Sequence, residues 1–274
     1  MVIQHNIAAI NSYRNLSTNQ SALSKNLEKL SSGYKINRAG DDAAGLAISE
    51  TMRSQINGLN QAVNNANDAI GLIQTAEGAM TETHSMLQRM KTLTTQAANG
   101  TYTDVARKNI QAEINALNKE IDRIANTTEF NGEKPLAPAK KGANLTFFIG
   151  ASSAKDNQMT VAQQTMTAQY LTINNITVIN TEKALNAMTA VDNAISHVSA
   201  YRATLGAAQN RLEHTVNNLK VTSENITSAE SRIRDTDMAD EITAYTKNNI
   251  LLQAAQSMLS QSNAMPQGVL SMLQ

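Results

Sequence analysis

Residues 44 to 98 carry an unbroken stripe of apolar side chains at three- and four-residue spacing, running Ile48, Met52, Ile56, Leu59, Val63, Ala66, Ile70, Ile73, Ala76, Met80, His84, Leu87, Met90 and Leu93. A stripe of that period is one face of an α-helix. At about 1.5 Å rise per residue it predicts one rod of roughly 80 Å, where an ordinary helix has about 11 to 12 residues. A compact chain of this length would have a radius of gyration near ~19 Å. The stripe therefore predicts an elongated molecule whose apolar seams are hidden against other long helices.

Those other helices are legible in the same way. Residues 1 to 34 place Ile3, Ile7, Ile10, Tyr13, Leu16, Leu23, Leu27, Leu30 and Tyr34 at threes, fours and sevens, which is coiled-coil spacing. Gly33 and Asn37-Arg38-Ala39-Gly40 interrupt that helix, and Asp41 or Asp42 can cap the rod that follows. The rod ends at the turn signal Asn99-Gly100, and Thr103-Asp104 can cap a third helix carrying Ile110, Ile114, Leu117, Ile121 and Ile124. The rod and this third helix should form an antiparallel hairpin. From Thr181 a second long rod resumes through Leu185, Met188, Val191, Ile195, Val198, Tyr201, Leu205, Ala208, Leu212, Val216, Leu219, Ile226, Ala229 and Ile233. Asp235-Thr236-Asp237 breaks or caps it, and a last helix carries Ile242, Tyr245, Leu252, Ala255 and Leu259 before the tail Met265-Pro266 to Leu273.

Between the helices the pattern changes. Pro135, Pro138 and Lys140-Lys141-Gly142 precede the apolar run Leu145 to Ile149 and the alternating stretch Leu171, Ile173, Ile176 and Val178, all strand and turn signals. The fold class expected is mainly α, an elongated antiparallel bundle of long helices with paired terminal helices and a small β-hairpin insert. Three parts follow: 1–42 with 235–274 as a terminal helical domain, 43–130 with 181–234 as the rod domain, and 131–180 as an insert too short for a core of its own.

Composition narrows the function. Aromatic residues make up 3% and tryptophan is absent, so a thick globular core is not expected. Lys plus Arg and Asp plus Glu number 23 each, leaving no basic face to attract nucleic acid or an anionic membrane. The absence of cysteine excludes disulfides, zinc-thiolate sites and thiol nucleophiles. The first 15 residues have no basic start followed by an uninterrupted apolar run, so no ordinary cleavable signal is expected, and no run approaches the ~18 apolar residues of a membrane span.

Catalytic and metal readings do not survive inspection. His5, His84, His197 and His214 are scattered without metal-ligand spacing, and the insert contains no histidine. Asp41-Asp42 and Asp235, Asp237 and Asp240 stand at helix starts, where capping accounts for them. No phosphate loop or nucleophile elbow occurs, and neither an enzyme nor a cofactor is expected. What remains is self-assembly. Burying Val2, Ile3, Ile7, Ile10, Leu16, Leu23, Leu27 and Leu30 returns less free energy than ordering the backbone of the first helix costs. The terminal helices are thus expected to be disordered in a free monomer and to order against neighbouring subunits.

The residues also carry a resemblance. Ser24 to Ser49, SKNLEKLSSGYKINRAGDDAAGLAIS, with Met52 to Asn60, resembles the amino-terminal region of bacterial flagellins. Leu212 to Ile226, Ser231 to Ala239 and Pro266 to Leu270 resemble their carboxyl-terminal region, so the likeness covers about 1–132 and 181–274. It implies a homopolymeric filament subunit of the bacterial flagellum, outside the cell, exported unfolded by a type III apparatus with the help of an export chaperone and meeting filament cap and junction proteins. Subunit packing would involve Ile3, Ile7, Ile10, Leu16, Leu23, Leu27, Leu30, Ile242, Tyr245, Leu252, Leu259, Val269, Leu270 and Leu273. The resemblance further implies that Gln88, Arg89, Leu93 and Glu113 form a surface read by a flagellin-sensing innate immune receptor. The hook-filament junction protein is the nearest alternative. A signalling coiled coil would need a membrane span or sensor domain.

Overall fold

The computed structural model describes residues 6–137 and 144–272, with side chains described through residue 265. Helix α1 spans Ile7–Ser32, α2 Ala43–Ala98, α3 Asp104–Thr127, α4 Thr181–Arg234 and α5 Met238–Met272. Strands β1, Asn144–Phe148, and β2, Gln158–Ala162, form one antiparallel pair in which Thr146 lies opposite Thr160. Two compact units divide the chain, Met1–Gln55 with Glu224–Gln274 and Ile56–Ser223, both boundaries falling inside α2 and α4.

Each helix end has a local chemical cause. The Asn6 carboxamide oxygen accepts from Ala9 N at the start of α1, and Gly33, at φ 75°, closes that helix in the left-handed region that lacks a Cβ penalty. Asp42 Oδ1 accepts from Gly45 N at 2.9 Å and so caps α2. A Cβ at Gly45 would collide with that same carboxylate and with the buried Ile36, which is why glycine stands there. Thr103 caps α3, and Asp237 accepts from Ala239 N at 2.9 Å to cap α5. These aspartates serve the backbone. Asp41 instead accepts from the amides of Arg38 and Asn37, holding the turn before α2.

In the unit Ile56–Ser223, α2 and α4 run antiparallel, with Asn60 near Ser223, Glu77 against Arg202 and Lys91 against Asp192. Most of their buried residues fall in two rows of sevens, with Leu72, Leu93 and Val216 buried beside them. On α2 one row is Leu59, Ala66, Ile73, Met80, Leu87 and Thr94, and the other is Ala62, Ala69, Ala76, Thr83, Met90 and Ala97. On α4 the rows are Ala184, Val191, Val198, Leu205, Leu212 and Leu219, and Ala187, Ala194, Tyr201 and Ala208. That is the two-row seam of a coiled coil. The buried threonines are satisfied within their own helix, Thr83 by Ala79 O and Thr94 by Lys91 O. One expected seam residue lies elsewhere: Leu185 is 49% exposed, while its small neighbours Ala184 and Ala187 are buried. Helix α3 returns along α2, Arg89 meeting Glu113, and Arg107 donates to Ala97 O and Asn99 O, supplying partners for carbonyls at the open end of α2.

The insert differs from the sequence expectation in one respect. Residues 145–148 are a strand, but 171–178 form turns and irregular chain. Leu171, Ile173 and Val178 are nevertheless fully buried in the bundle core with Leu136, Met159, Val161 and Met166. The alternation reflects burial without strand pairing. Amides and carboxylates on one face of α3 replace the missing strand: Gln111 donates to Ile176 O and accepts from Val178 N, Asn118 donates to Ile173 O, and Asp122 accepts from Ala168 N. Gln111→Ala therefore leaves a carbonyl and an amide unpaired and should lower stability by roughly 1–3 kcal/mol in urea unfolding, where the exposed Lys119→Ala stays within about 0.5 kcal/mol. Equal effects for the two would refute the strap.

Candidate assembly surface

In the unit Met1–Gln55 with Glu224–Gln274, α1 and α5 pair antiparallel. The Asn6 amide donates to Ser262 O at 2.8 Å at one end, and Lys29 approaches Glu241 at 3.9 Å at the other. Leu16, Leu23 and Leu30 recur every seven residues on α1, and Tyr245, Leu252 and Leu259 do so on α5. All six are half-buried, and no residue of α1 is buried outright. One stripe per helix is thus partly used.

The remaining apolar side chains face solvent. Ile7 is 61% exposed, Ile10, Tyr13 and Leu27 accompany it on α1, and Ile242 at 51%, Ile250, Leu251, Met258 and Met265 do the same on α5. An apolar set of this extent on a paired helix marks an interaction surface. Of the seam residues expected from sequence, Ile7, Ile10, Leu27 and Ile242 fall in the exposed set and Leu16, Leu23, Leu30, Tyr245, Leu252 and Leu259 in the half-buried set. Ile3 and Leu273, and the side chains of Val269 and Leu270, lie outside the described residues. The terminal helices, expected to order against neighbouring subunits, are helical and pair with each other along one stripe.

A polar junction secures the ends of this pair. The Arg234 guanidinium lies 4.6 Å from the centre of the Tyr34 ring and donates to Glu50 at 2.9 Å and to Ser49 at 3.4 Å. Its carbonyl accepts from Lys35 N, while Thr236 N donates to Gly33 O, so the chain entering α2 and the chain leaving α4 are stitched backbone to backbone. Sequence periodicity carries no signal for this junction, because it depends on single residues of four segments.

Among the residues expected to meet a receptor, Arg89 and Glu113 form an exposed pair at 2.8 Å and Gln88 contacts His84. Leu93 stands apart from them, 2% exposed in the bundle core. Elsewhere among the described residues no group of three or more His, Asp or Glu side chains could hold a metal, and no helix is long and apolar enough to cross a membrane.

Paired helices with an uncovered apolar face, on a chain whose Asp41, Asp42 and Asp237 accept from backbone amides, define a structural subunit of the self-associating kind. Comparison with known proteins gives the family. The profile of the bacterial flagellin N-terminal helical region matches residues 3–141, and that of the C-terminal helical region matches 188–273. The chain is 51% identical over 308 aligned residues to the flagellin of Bacillus subtilis strain 168 and 46% identical over 273 to that of Halalkalibacterium halodurans, with all of both chains covered in each case. A solved hook-associated protein of Vibrio parahaemolyticus, 14% identical, shares the fold with a TM-score of 0.59, covering 71% of this chain and 100% of its own. The chain belongs to the bacterial flagellins. It is a structural subunit that polymerises into the flagellar filament and is not an enzyme.

Two measurements probe the junction. Arg234→Met keeps the aliphatic bulk but leaves Ser49 and Glu50 without the guanidinium, so amide exchange of residues 33–36 should accelerate roughly tenfold while that of 60–97 is unchanged. Uniform acceleration would deny the junction a local role. The Arg38 amide, followed by the Asn37 amide and the charges of Lys25 and Lys29, holds the Asp41 carboxyl below its ordinary value. A lowered folded value means that stability is present above the unfolded value of about 3.9 and is lost as pH falls through the folded one. The Arg38 amide should therefore lose exchange protection below about pH 4; Asp41→Asn should remove that pH response, and a response surviving in Asp41→Asn would exclude this carboxyl as its source.

Proposed function

We propose that the terminal pair is the inner packing element of the filament and that Ile7, Ile10, Leu27, Ile242, Ile250 and Met258 are covered by neighbouring subunits. The carrying observation is that these side chains are exposed on helices whose other face is already in use. Residues 1–42 with 235–274 then act as the inner-tube domain, 43–130 with 181–234 as the surrounding rod layer, and 131–180 as a reduced outer region. Contacts of this head-to-tail kind do not close on themselves and generate a helical array.

Export and recognition belong to the same reading. A helix with no buried residue unfolds at small cost, which suits passage in extended form through a type III apparatus and holding by an export chaperone at α5. The subunit reaches the outside of the cell and adds beneath a cap protein onto a junction protein. Gln88, Arg89 and Glu113 present the surface an innate immune receptor would read, with Leu93 supporting it from inside; the tail Val269, Leu270, Met272 and Leu273 resembles the segment read by intracellular flagellin sensors.

The seam is tested by charge. Leu27 is 48% exposed, so Leu27→Asp should leave the melting of the dilute monomer nearly unchanged, as should Ile242→Asp. Each should abolish elongation from filament seeds, because an aspartate closed into a subunit seam is buried without a partner. Normal elongation of either variant, watched by electron microscopy, would refute the terminal seam.

A further inference from the structure

The chain contains three phenylalanines, and all three line one open cavity of about 530 Å³ beside α2 in the unit Ile56–Ser223. Phe147 and Phe148 come from β1, where neighbouring side chains point to opposite faces: Phe147 packs against the bundle core and Phe148 is 37% exposed. Phe130 comes from a two-residue hairpin turn in which Asn131 and Gly132 both take positive φ, 50° and 83°, and the backbones of Phe130 and Glu133 exchange hydrogen bonds at 2.9 and 3.0 Å. That turn type sets Phe130 and Glu133 directly opposite each other, so a ring and a carboxylate reach the cavity side by side. Asp68 of α2 contributes a second carboxylate. Among the described residues neither Asp68 nor Glu133 has an ion-pair partner, although nine such pairs occur elsewhere.

Phenyl faces attract a cation through the ring quadrupole, and carboxylates at the rim add directed charge. A lysine or arginine side chain meets both demands at once, since its stem packs on apolar surface while its head stays at the wet edge. We propose that this cavity receives a cationic side chain from a second copy of the chain and so fixes the register between subunits. The proposal rests on the filament reading, which brings other copies against this one. Charge complementarity selects the occupant: Lys108, Lys119, Lys183 and Lys220 stand exposed on α3 and α4 without an ion-pair partner among the described residues.

The rarity of phenylalanine makes the test clean, because uniform 4-fluorophenylalanine labelling places every fluorine on a residue that lines this cavity. N-acetyl-lysine methylamide added to the dilute monomer should move the signals saturably, and no movement overturns the cation preference. In seeded elongation the Asp68→Asn, Glu133→Gln double variant should need a roughly tenfold higher critical concentration with unchanged monomer melting, and Asp68→Glu, Glu133→Asp should recover most of the loss. A double variant that elongates like the parent overturns the occupant and leaves the filament reading standing. A parent that fails to elongate overturns the filament reading and this occupant with it. Fluorine signals of the monomer that shift on changing Lys140 and Lys141 to Gln would assign the cation to the chain itself and overturn the second copy.

Discussion

Everything in the bundle follows from how closely two long helices can approach. A seam with bulky residues in both heptad rows would hold the axes apart and demand wide flanking cover, which a chain with few aromatic residues does not supply. On α2 and α4 one row is largely Leu, Ile, Val and Met while the other is largely alanine, so large side chains of one helix find space over the small row of its partner. The polar flanks can then stay wet, and the abundant threonines and serines cost little because their hydroxyls return to the carbonyl one turn back. Narrow seams make long helices possible in so polar a sequence, and they also limit what one copy can bury.

That limit is felt most at α1 and α5. Each has a heptad row half-covered by the other and further apolar residues with nothing over them. The bundle helices have a third element, α3, and the insert to complete their cover; the terminal pair has none among the described residues. Membership of the flagellins means that further copies of the same chain are present in the filament. The shortness of the insert is consistent with this division, since its apolar residues join the bundle core and create no core of their own.

The parts readable in the sequence were those set by local chemistry repeated many times. The starts of α2, α3 and α5 follow from period and caps, with Asp42, Thr103 and Asp237 in place as the capping rules require. The alanine row on α2 is only partly visible in the sequence, because alanine is too weakly apolar to mark a stripe, and Leu185 departs from expectation for the converse reason that the period alone places a leucine in the seam. The stretch 171–178 alternates like a strand, yet its backbone partners are side chains of Gln111, Asn118 and Asp122, distant in sequence. Leu93 shows the same limit: its neighbours Gln88 and Arg89 are exposed, but its own phase on the helix turns it into the core.

Electrostatics takes a secondary place in this scheme. The ion pairs described here are mostly solvent-exposed on at least one side, as with Arg89 and Glu113 or Arg53 and Glu50, and such pairs contribute little to stability. With no net formal charge, long-range attraction or repulsion between copies is weak, and the terminal helices are where one copy leaves apolar side chains exposed. An apolar seam is tolerant of sliding, however, because a heptad offers equivalent contacts seven residues away in either direction. Register must come from something that fits in one place only. A localised feature such as the phenylalanine cavity with its two carboxylates can fix register at little cost in affinity, since charged contacts at a rim discriminate between alignments more strongly than they bind.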